Sequence, residues 1–174
     1  MPGDLQSSIR QIPDFPKKGI LFYDITTMFS DARAFRRAID MLVHRYIDRR
    51  PDVFAGVEAR GFLVASALAY ALGSGVVLIR KPGKLPAKTY KVAYSLEYGT
   101  NEIEIHQDAI KTGQRVVVVD DLLATGGTIH AAAELVKLAG GAVEELAFII
   151  ELTFLKGRDK LKNYEVHSLI KYDQ

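Results

Sequence analysis

The chain has 174 residues, of which 48% are hydrophobic and 25% charged, with a formal net charge of +2 and no cysteine. A chain of this length suits one domain that buries roughly 70% of its unfolded surface. The lack of cysteine excludes disulfide bonds, thiolate nucleophiles and cysteine zinc sites. Because the basic residues occur as short pairs, a dedicated nucleic-acid-binding protein is also disfavoured. We therefore expect a single domain over residues 1–174 that handles small molecules and no nucleic acid.

The first twenty residues contain acidic and basic side chains and no continuous apolar run. Neither a signal peptide nor a membrane span is expected there, because both need an uninterrupted apolar segment. The expectation is a soluble cytoplasmic protein without a membrane partner.

Apolar periodicity predicts strands and helices that alternate along the chain. The predicted helices are 35–47, 62–72 and 130–138, and the predicted strands are 53–57, 76–79, 115–119, 143–152 and 166–170, with a short alternating segment at 103–105. This order is typical of a parallel sheet with right-handed crossovers. The predicted fold class is α/β, with a central, mostly parallel sheet flanked by helices. Gly140 and Gly141 are expected to end the last helix with a positive φ.

Two segments fit this alternation poorly. Residues 12–27 contain Pro13, Pro16 and Gly19, which prevent a regular helix, yet the segment is too apolar for a free loop. It should fold over another part of the chain. Residues 81–100 contain four lysines, two prolines and three tyrosines. Loops of that length in a compact domain are usually functional, so a lid over about 81–106 is expected.

The residues after the four valines 116–119 carry the strongest chemical signal. Asp120 and Asp121 come at the carboxyl end of a buried strand, where ligands of parallel sheets bind. The loop and helix start that follow offer backbone N–H groups and hydroxyls to an anion. The loop consists of Ala124, Thr125, Gly126, Gly127 and Thr128. Since carboxylates accept hydrogen bonds from sugar hydroxyls or hold Mg²⁺ through water, the run predicts a phosphorylated-sugar site. A plain strand, turn and helix cap is the alternative.

Two further segments are rich in groups that bind anions. Glu58, Ala59 and Arg60 stand between a predicted strand and a helix, and Arg60 can grip a phosphate with two parallel N–H bonds. The alternative is a surface ion pair between Arg60 and Glu58. Arg80, Lys81, Pro82, Gly83 and Lys84 follow the next strand. Cations aimed at developing charge contribute strongly to catalysis, although a solvated cluster is the alternative.

The Asp-Asp run followed by Thr-Gly-Gly-Thr resembles the 5-phosphoribosyl-1-pyrophosphate (PRPP) motif of the type I phosphoribosyltransferases, and the resemblance extends over about residues 9–169. It implies that Asp120 and Asp121 meet the ribose and that residues 124–128 hold the 5′-phosphate. Pyrophosphate would bind a loop containing Ala59 and Arg60, for which a cis peptide is expected at Ala59–Arg60. The basic residues of 80–84 would draw off pyrophosphate and can reach a neighbouring subunit. The resemblance thus implies a homodimer and a Mg²⁺ ion held mainly by PRPP, with contact through water to Asp120 or Asp121 as an additional option.

Residues 12–26 resemble the hood of the adenine phosphoribosyltransferases, which corresponds here to about residues 1–30. Phe22 would then stack on the purine, while a backbone group of Leu21–Tyr23 reads its amino edge. Leu122 is the expected opposite wall, although Leu123 could replace it. Ser-Leu-Glu-Tyr-Gly at 95–99 resembles the flexible loop of these enzymes, which implies that Glu97 is the general acid or base.

The implied reaction is adenine + PRPP → AMP + pyrophosphate, a step of purine salvage that uses Mg²⁺. One alternative keeps the reaction and replaces adenine with another nucleobase, such as a 6-oxopurine. Another is a regulator that binds PRPP without turnover. The four histidines stand on separate elements without metal-ligand spacing and are expected to be structural.

Overall fold

The structure is a computed structural model that describes residues 5–96 and 98–174. Its centre is a parallel five-stranded sheet in the order β4-β3-β7-β8-β9. These strands are β3 Val53–Val57, β4 Gly75–Ile79, β7 Arg115–Leu123, β8 Ala142–Leu152 and β9 Val166–Tyr172. The predicted α/β class with a central parallel sheet is confirmed.

Helices and smaller sheets cover both faces of this sheet. The hood hairpin β1 Arg10–Pro13 and β2 Leu21–Asp24 leads into α1 Thr26–Ser30, α2 Ala32–Tyr46 and α3 Gly61–Leu72 on one face. The other face is covered by α4 Gly127–Leu138 and by a hairpin of β5 Thr89–Ser95 and β6 Thr100–His106. None of the helices in these described ranges is long and apolar enough to cross a membrane.

The helix α2 shows how local sequence sets an element. Asp31 precedes its first turn, and one carboxylate oxygen accepts hydrogen bonds from the backbone N–H groups of Arg33 and Ala34 at 2.9 and 3.0 Å. Capped by this side chain, the helix begins at Ala32, three residues before the predicted start. The buried residues of α2 recur at helical spacing and face the core: Ala38, Ile39, Leu42 and Tyr46.

Two predicted boundaries near the acidic pair were wrong. The strand β7 continues through Asp120 to Leu123, beyond its predicted end at residue 119, because it goes on pairing with β8. The aspartates are therefore part of the strand. The helix α4 begins at Gly127 instead of residue 130, since Gly126 adopts a φ of +85° and its carbonyl accepts the N–H of His130.

The predicted long loop after residue 81 is largely a hairpin. Strands β5 and β6 pair from Thr89 with His106 to Ser95 with Thr100, and residues 96–99 connect them in sequence. Tyr90, Val92 and Tyr94 alternate along β5 and pack on the cluster around α4, which explains the pairing. Glu97 lies outside the described residues.

The hood is tied to the first helix through Asp24. This carboxylate forms an ion pair with Arg10 of β1 and accepts hydrogen bonds from the Thr26 hydroxyl at 2.6 Å and the Thr26 N–H at 2.9 Å. The Thr26 hydroxyl, followed by the Arg10 guanidinium, lowers the pKa of Asp24 from 3.8 to about 2. Asp24 is thus ionised at neutral pH and links the two hood strands to α1.

Replacing Asp24 with asparagine should remove a pH-dependent part of the stability. Because the pKa of Asp24 is lower in the folded chain, its contribution is complete above the ordinary pKa and is lost as the pH falls towards 2. Urea unfolding at pH 7 and pH 3 should show the stability difference between wild type and Asp24→Asn shrinking by about 1 kcal/mol at pH 3. An equal difference at both pH values would contradict this assignment.

Candidate active site

Three loops meet at one edge of the sheet because β3 lies between β4 and β7. The loop after β3 contains Glu58 to Arg60, the segment after β4 begins at Arg80, and the strand β7 leads into the loop 124–128. All three strands are parallel, so their carboxyl ends share an edge. The segments that carry the predicted PRPP-binding residues are therefore neighbours in space.

Arg60 joins the loop after β3 to the acidic pair. Its Nε donates to Oδ2 of Asp121 at 2.5 Å, and the Asp121 carboxylate is almost fully buried. The predicted alternative, an ion pair between Arg60 and Glu58, was wrong because Arg60 turns towards β7. Asp121 is thus the charge partner of Arg60 in the structure.

Asp120 has a different environment from its neighbour. Its Oδ1 accepts the backbone N–H of Asp121 at 2.8 Å. Burial, followed by the adjacent charge of Asp121, raises the pKa of Asp120 well above its ordinary value. A carboxyl group held in this way gains from hydroxyl donors, which stabilise its ionised form.

Gly61 allows the start of α3 to approach the end of β7. A Cβ atom at this position would lie 2.7 Å from the carbonyl oxygen of Val119 and 3.3 Å from Oδ1 of Asp120. Any side chain would therefore separate the N-terminus of α3 from the acidic pair.

The loop after β3 contains a cis peptide bond, but not at the expected position. The bond joins Glu58 and Ala59, whereas Ala59–Arg60 was expected. The strand ends at Val57, so the turn starts with these two residues and Arg60 follows it as the residue that precedes α3.

Glu58 binds three residues of the basic segment that follows β4. Its carboxylate accepts hydrogen bonds from Nζ of Lys84 at 2.7 Å, the backbone N–H of Lys81 at 2.9 Å and Nε of Arg80 at 3.3 Å. Burial alone would raise the pKa of Glu58, but the bonds from Lys84, Lys81 and Arg80 outweigh it and lower the pKa to about 2. The Arg80 guanidinium also lies 5.9 Å from the centre of the Phe62 ring. The Arg80 and Lys84 side chains thus form an ordered cation cluster on Glu58, which Lys81 joins through its backbone N–H.

The loop 124–128 encloses a small cavity of 80 Å³ beyond the end of β7. Its walls include Asp120, the backbone of the two glycines and Thr128, which leaves room for several water molecules or a compact anion. The Thr128 hydroxyl donates to the Tyr94 hydroxyl at 3.2 Å. The hairpin β5–β6 therefore lies directly over the loop.

A larger cavity of 370 Å³ lies between the basic segment and this hairpin. It is lined by Glu58 and Lys81 on one side and by Tyr94, Asn101 and Thr128 on the other. The cavity connects the basic segment with the start of α4.

The three predicted adenine-binding residues of the hood differ in how far their side chains are exposed. Phe22 is partly buried and packs edge-to-face on Phe15, with ring centres 5.1 Å apart, and Leu21 is 37% exposed. The Tyr23 side chain is buried, stacks on Tyr172 at 4.0 Å and donates to the carbonyl of Gln174 at 2.5 Å. The Tyr23 side chain is therefore engaged within the core and leaves the predicted contact to the backbone of the hood.

Leu122 and Leu123 face different parts of the core. Leu122 is partly buried against the cluster that contains the hood residues Tyr23 and Ile25. Leu123 is 2% exposed and belongs to the cluster around α4. Of the two predicted candidates, Leu122 is the one on the hood side.

Comparison with known proteins agrees with this geometry. The model of the phosphoribosyl transferase domain matches residues 26–170. The chain belongs to the phosphoribosyltransferase family. Its relatives include the adenine phosphoribosyltransferase of Syntrophotalea carbinolica, which is 59% identical over 97% of this chain and 99% of its own length. The resemblance to adenine phosphoribosyltransferases is thereby confirmed.

Solved structures of phosphoribosyltransferases share the whole fold. The adenine phosphoribosyltransferase of Thermoanaerobacter pseudethanolicus has a TM-score of 0.94 and 56% identity, covering 99% of this chain and 100% of its own. The enzyme of Saccharomyces cerevisiae has a TM-score of 0.92 and 41% identity over 97% of each chain. The yeast protein was crystallised with an imino-altritol bisphosphate and adenine.

The phosphoribosyltransferase site offers few direct metal ligands. Within residues 5–96 and 98–174, no three His, Asp or Glu side chains are grouped closely enough to hold a metal ion. Asp120 and Asp121 are two adjacent carboxylates, and Asp121 is already paired with Arg60. Such a pair fits water-mediated contact with a Mg²⁺ ion whose main ligands are phosphate oxygens.

Sequence reasoning gave this phosphoribosyltransferase no role for Glu58 or Gly157. Glu58 appeared only as a possible partner of Arg60, because its partners Arg80 and Lys84 lie more than twenty residues away in sequence. Gly157, in the turn after β8, contacts the loop 124–128 across more than thirty residues of sequence. No local pattern could have predicted that contact.

Proposed function

We propose that the chain transfers the phosphoribosyl group of PRPP to adenine, which yields AMP and pyrophosphate. The observation that carries the proposal is the meeting of an acidic pair, an anion-binding loop and a cation cluster at one edge of the sheet, beside a hood. Adenine is proposed as the acceptor because the relatives described above bear that name and residues 12–26 resemble the hood of such enzymes. The proposed role is purine salvage in the cytoplasm.

The PRPP end of the reaction is assigned to β7 and the loop after it. The 5′-phosphate binds the backbone N–H groups and hydroxyls of residues 124–128, at the N-terminus of α4. The ribose hydroxyls donate to Asp120 and Asp121. Mg²⁺, held mainly by PRPP and through water by one of these carboxylates, would neutralise charge on the pyrophosphate.

The pyrophosphate end is assigned to the loop after β3 and the basic segment. Ala59 offers its backbone, while Arg60, Arg80, Lys81 and Lys84 supply positive charge. In the structure Arg60 is paired with Asp121, and Arg80 and Lys84 with Glu58. An incoming pyrophosphate offers these cations more anionic oxygens than the single carboxylates do. The cations then stabilise the charge that develops as the C1′ bond breaks.

The base is assigned to the space between the hood and β7. Phe22 stacks on one face of the purine, Leu122 covers the other, and the backbone near Leu21 and Tyr23 reads the amino edge. N9 attacks C1′ as the bond to pyrophosphate loosens, and Glu97 handles the proton of the purine. Closure of residues 88–106 over the site excludes water, which would otherwise hydrolyse PRPP. No covalent enzyme intermediate is needed.

A homodimer is proposed from an exposed apolar face on α3 and the edge strand β4. Leu63 and Tyr70 of α3 are 50% and 92% exposed, and Val76 and Leu78 of β4 are 41% and 40% exposed. Single exposed apolar residues are ordinary, but a contiguous face favours a partner. The strand β4 leads directly into the basic segment. A second copy of the chain packed on this face would therefore have its active site near the cations of the first copy.

A panel of bases tests the proposed reaction. Purified protein with PRPP and Mg²⁺ should form product with adenine at a higher kcat/KM than with hypoxanthine, guanine, xanthine, uracil or orotate. A higher kcat/KM with one of the other bases would assign the enzyme to that base. PRPP binding without turnover on any base would favour a regulator.

Removing the aromatic ring of Phe22 should weaken adenine binding specifically. One stack on a base contributes about 1–3 kcal/mol, so Phe22→Ala is expected to raise KM for adenine about 10–100-fold. Steady-state kinetics should show KM for PRPP within twofold of wild type, and Phe22→Leu should fall between the two. Equal changes in both KM values would indicate a general packing role for Phe22.

A further inference from the structure

The segment between β8 and β9 packs against the anion-binding loop. It consists of two short 3₁₀ helices, Thr153–Leu155 and Gly157–Lys160, joined by Lys156 in the left-handed region at a φ of +53°. We call residues 153–160 the brace turn. It takes no direct part in the reaction proposed above.

Two glycines make the contact between the brace turn and the loop. A Cβ atom on Gly157 would lie 2.4 Å from the carbonyl oxygen of Ala124 and 2.9 Å from Cδ1 of Leu123. Conversely, a Cβ atom on Gly126 would lie 2.5 Å from the carbonyl oxygen of Gly157. The two backbones are therefore in direct contact on both sides.

The reason for glycine differs at the two positions. Gly126 has a φ of +85°, which favours glycine whatever its surroundings. Gly157 has a φ outside the left-handed region, so its backbone would accept alanine. Close approach to the loop is what excludes a side chain at Gly157.

An ion pair between Arg158 and a buried carboxylate holds the brace turn in place. Arg158 donates from Nε to Oε1 of Glu151 at 2.6 Å and from Nη2 to Oε2 at 2.8 Å. Its Nη1 also donates to the carbonyl of Val166 at 3.2 Å, and the Ser168 hydroxyl donates to Glu151. Because the Glu151 side chain is 5% exposed and bound at both oxygens, Arg158 is fixed to β8 and β9.

We propose that Gly157 and Arg158 are positioning residues for the 5′-phosphate. The brace turn forms the back wall of the loop 124–128 and fixes where its N–H groups point. This inference rests on the proposed function, which assigns the 5′-phosphate to that loop. Misplacing a binding group by about 1 Å can cost 10²-fold in rate. A methyl group at Gly157 should displace the loop 124–128 and therefore weaken binding of the phosphate.

The test is Gly157→Ala, with ribose 5-phosphate binding measured by calorimetry and with steady-state kinetics. We expect Kd for ribose 5-phosphate and KM for PRPP to rise about tenfold or more, with KM for adenine within twofold. The matched control is Gly75→Ala at the start of β4, where a Cβ atom would lie 3.6 Å from the Val53 side chain. It should keep wild-type values for all three constants. A Gly157→Ala protein that binds ribose 5-phosphate like wild type would overturn the proposal.

A second variant covers the case in which Gly157→Ala does not fold. Arg158→Gln should also raise Kd for ribose 5-phosphate selectively, and Arg158→Lys, which keeps the charge, should restore part of it. Equal losses for phosphate and adenine ligands would indicate a merely structural role and overturn the inference. Wild-type protein that binds ribose 5-phosphate but does not turn over adenine would refute the proposed reaction. In that case the Kd for ribose 5-phosphate of the variants still tests the role of the brace turn.

Discussion

Replacing both Asp120 and Asp121 with asparagine should lower kcat/KM for PRPP by about 10²–10³-fold. Two hydrogen bonds to ionised carboxylates contribute about 1.5–3 kcal/mol each, and each 1.4 kcal/mol corresponds to a factor of ten. Full additivity would give about 10²–10⁴-fold, and the coupling of these adjacent residues keeps the expected loss in the lower part of that range. The change also deprives Arg60 of the partner that Asp121 provides at 2.5 Å. Steady-state kinetics with varied PRPP at saturating adenine measure the effect.

The single variants and one distant control make this result specific. The Asp121 N–H donates to the Asp120 carboxylate, so the two residues are in contact. The effects of Asp120→Asn and Asp121→Asn on kcat/KM should therefore not be additive. Asp40→Asn changes an exposed carboxylate on α2, whose side chain is 66% exposed, and should leave kcat/KM unchanged. A double variant with wild-type kcat/KM for PRPP would remove both aspartates from the proposed ribose contact.

Replacing Glu97 with glutamine should lower kcat by about 10²–10⁴-fold while KM for PRPP stays within twofold. This range is typical of losing a general acid or base, and glutamine is isosteric but cannot exchange a proton. Glu97 lies outside the described residues, but the strands β5 and β6, which precede and follow it in sequence, are described. Tyr94 of β5 contacts Thr128 of the loop, so β5 lies beside the residues to which phosphate binding is assigned above.

The pH dependence separates proton transfer from lid packing. Loss of a titrating carboxylate should remove one limb of the kcat profile, whereas a packing defect should lower kcat equally at every pH. Asp108→Asn, an exposed change just after β6, should behave as wild type. Wild-type turnover in Glu97→Gln would exclude Glu97 from the mechanism.

The acidic pair and the loop after it could be predicted from sequence because their chemistry is local. Four valines, two aspartates and Thr-Gly-Gly-Thr occupy thirteen consecutive residues, 116–128. A strand, its carboxyl end and the next helix start follow each other directly along the chain, so residue order alone gives their order in space. Only the boundaries failed, since the pairing of β7 with β8 extends the strand through Asp120 and Asp121.

The pairing of charges could not be predicted in the same way. Arg60 had two acidic candidates, one two residues away and one sixty-one residues away, and it pairs with the distant Asp121. Glu58 is not paired with Arg60 and instead forms ion pairs with Arg80 and Lys84, which follow the neighbouring strand β4. Which ion pair forms depends on the side-by-side placement of β4, β3 and β7, and the order of strands in a sheet is set by packing across the whole chain.

The sequence by itself determined the fold class, the family and the placement of the loop 124–128 after the acidic pair, because each depends on periodicity or on short runs of residues. Tertiary structure decided that Leu122 faces the hood, that residues 89–106 form a hairpin, and that Gly157 contacts Gly126. These features join segments far apart in the chain, and their energies come from close packing and burial. Such contacts exist only once the sheet has brought the segments together.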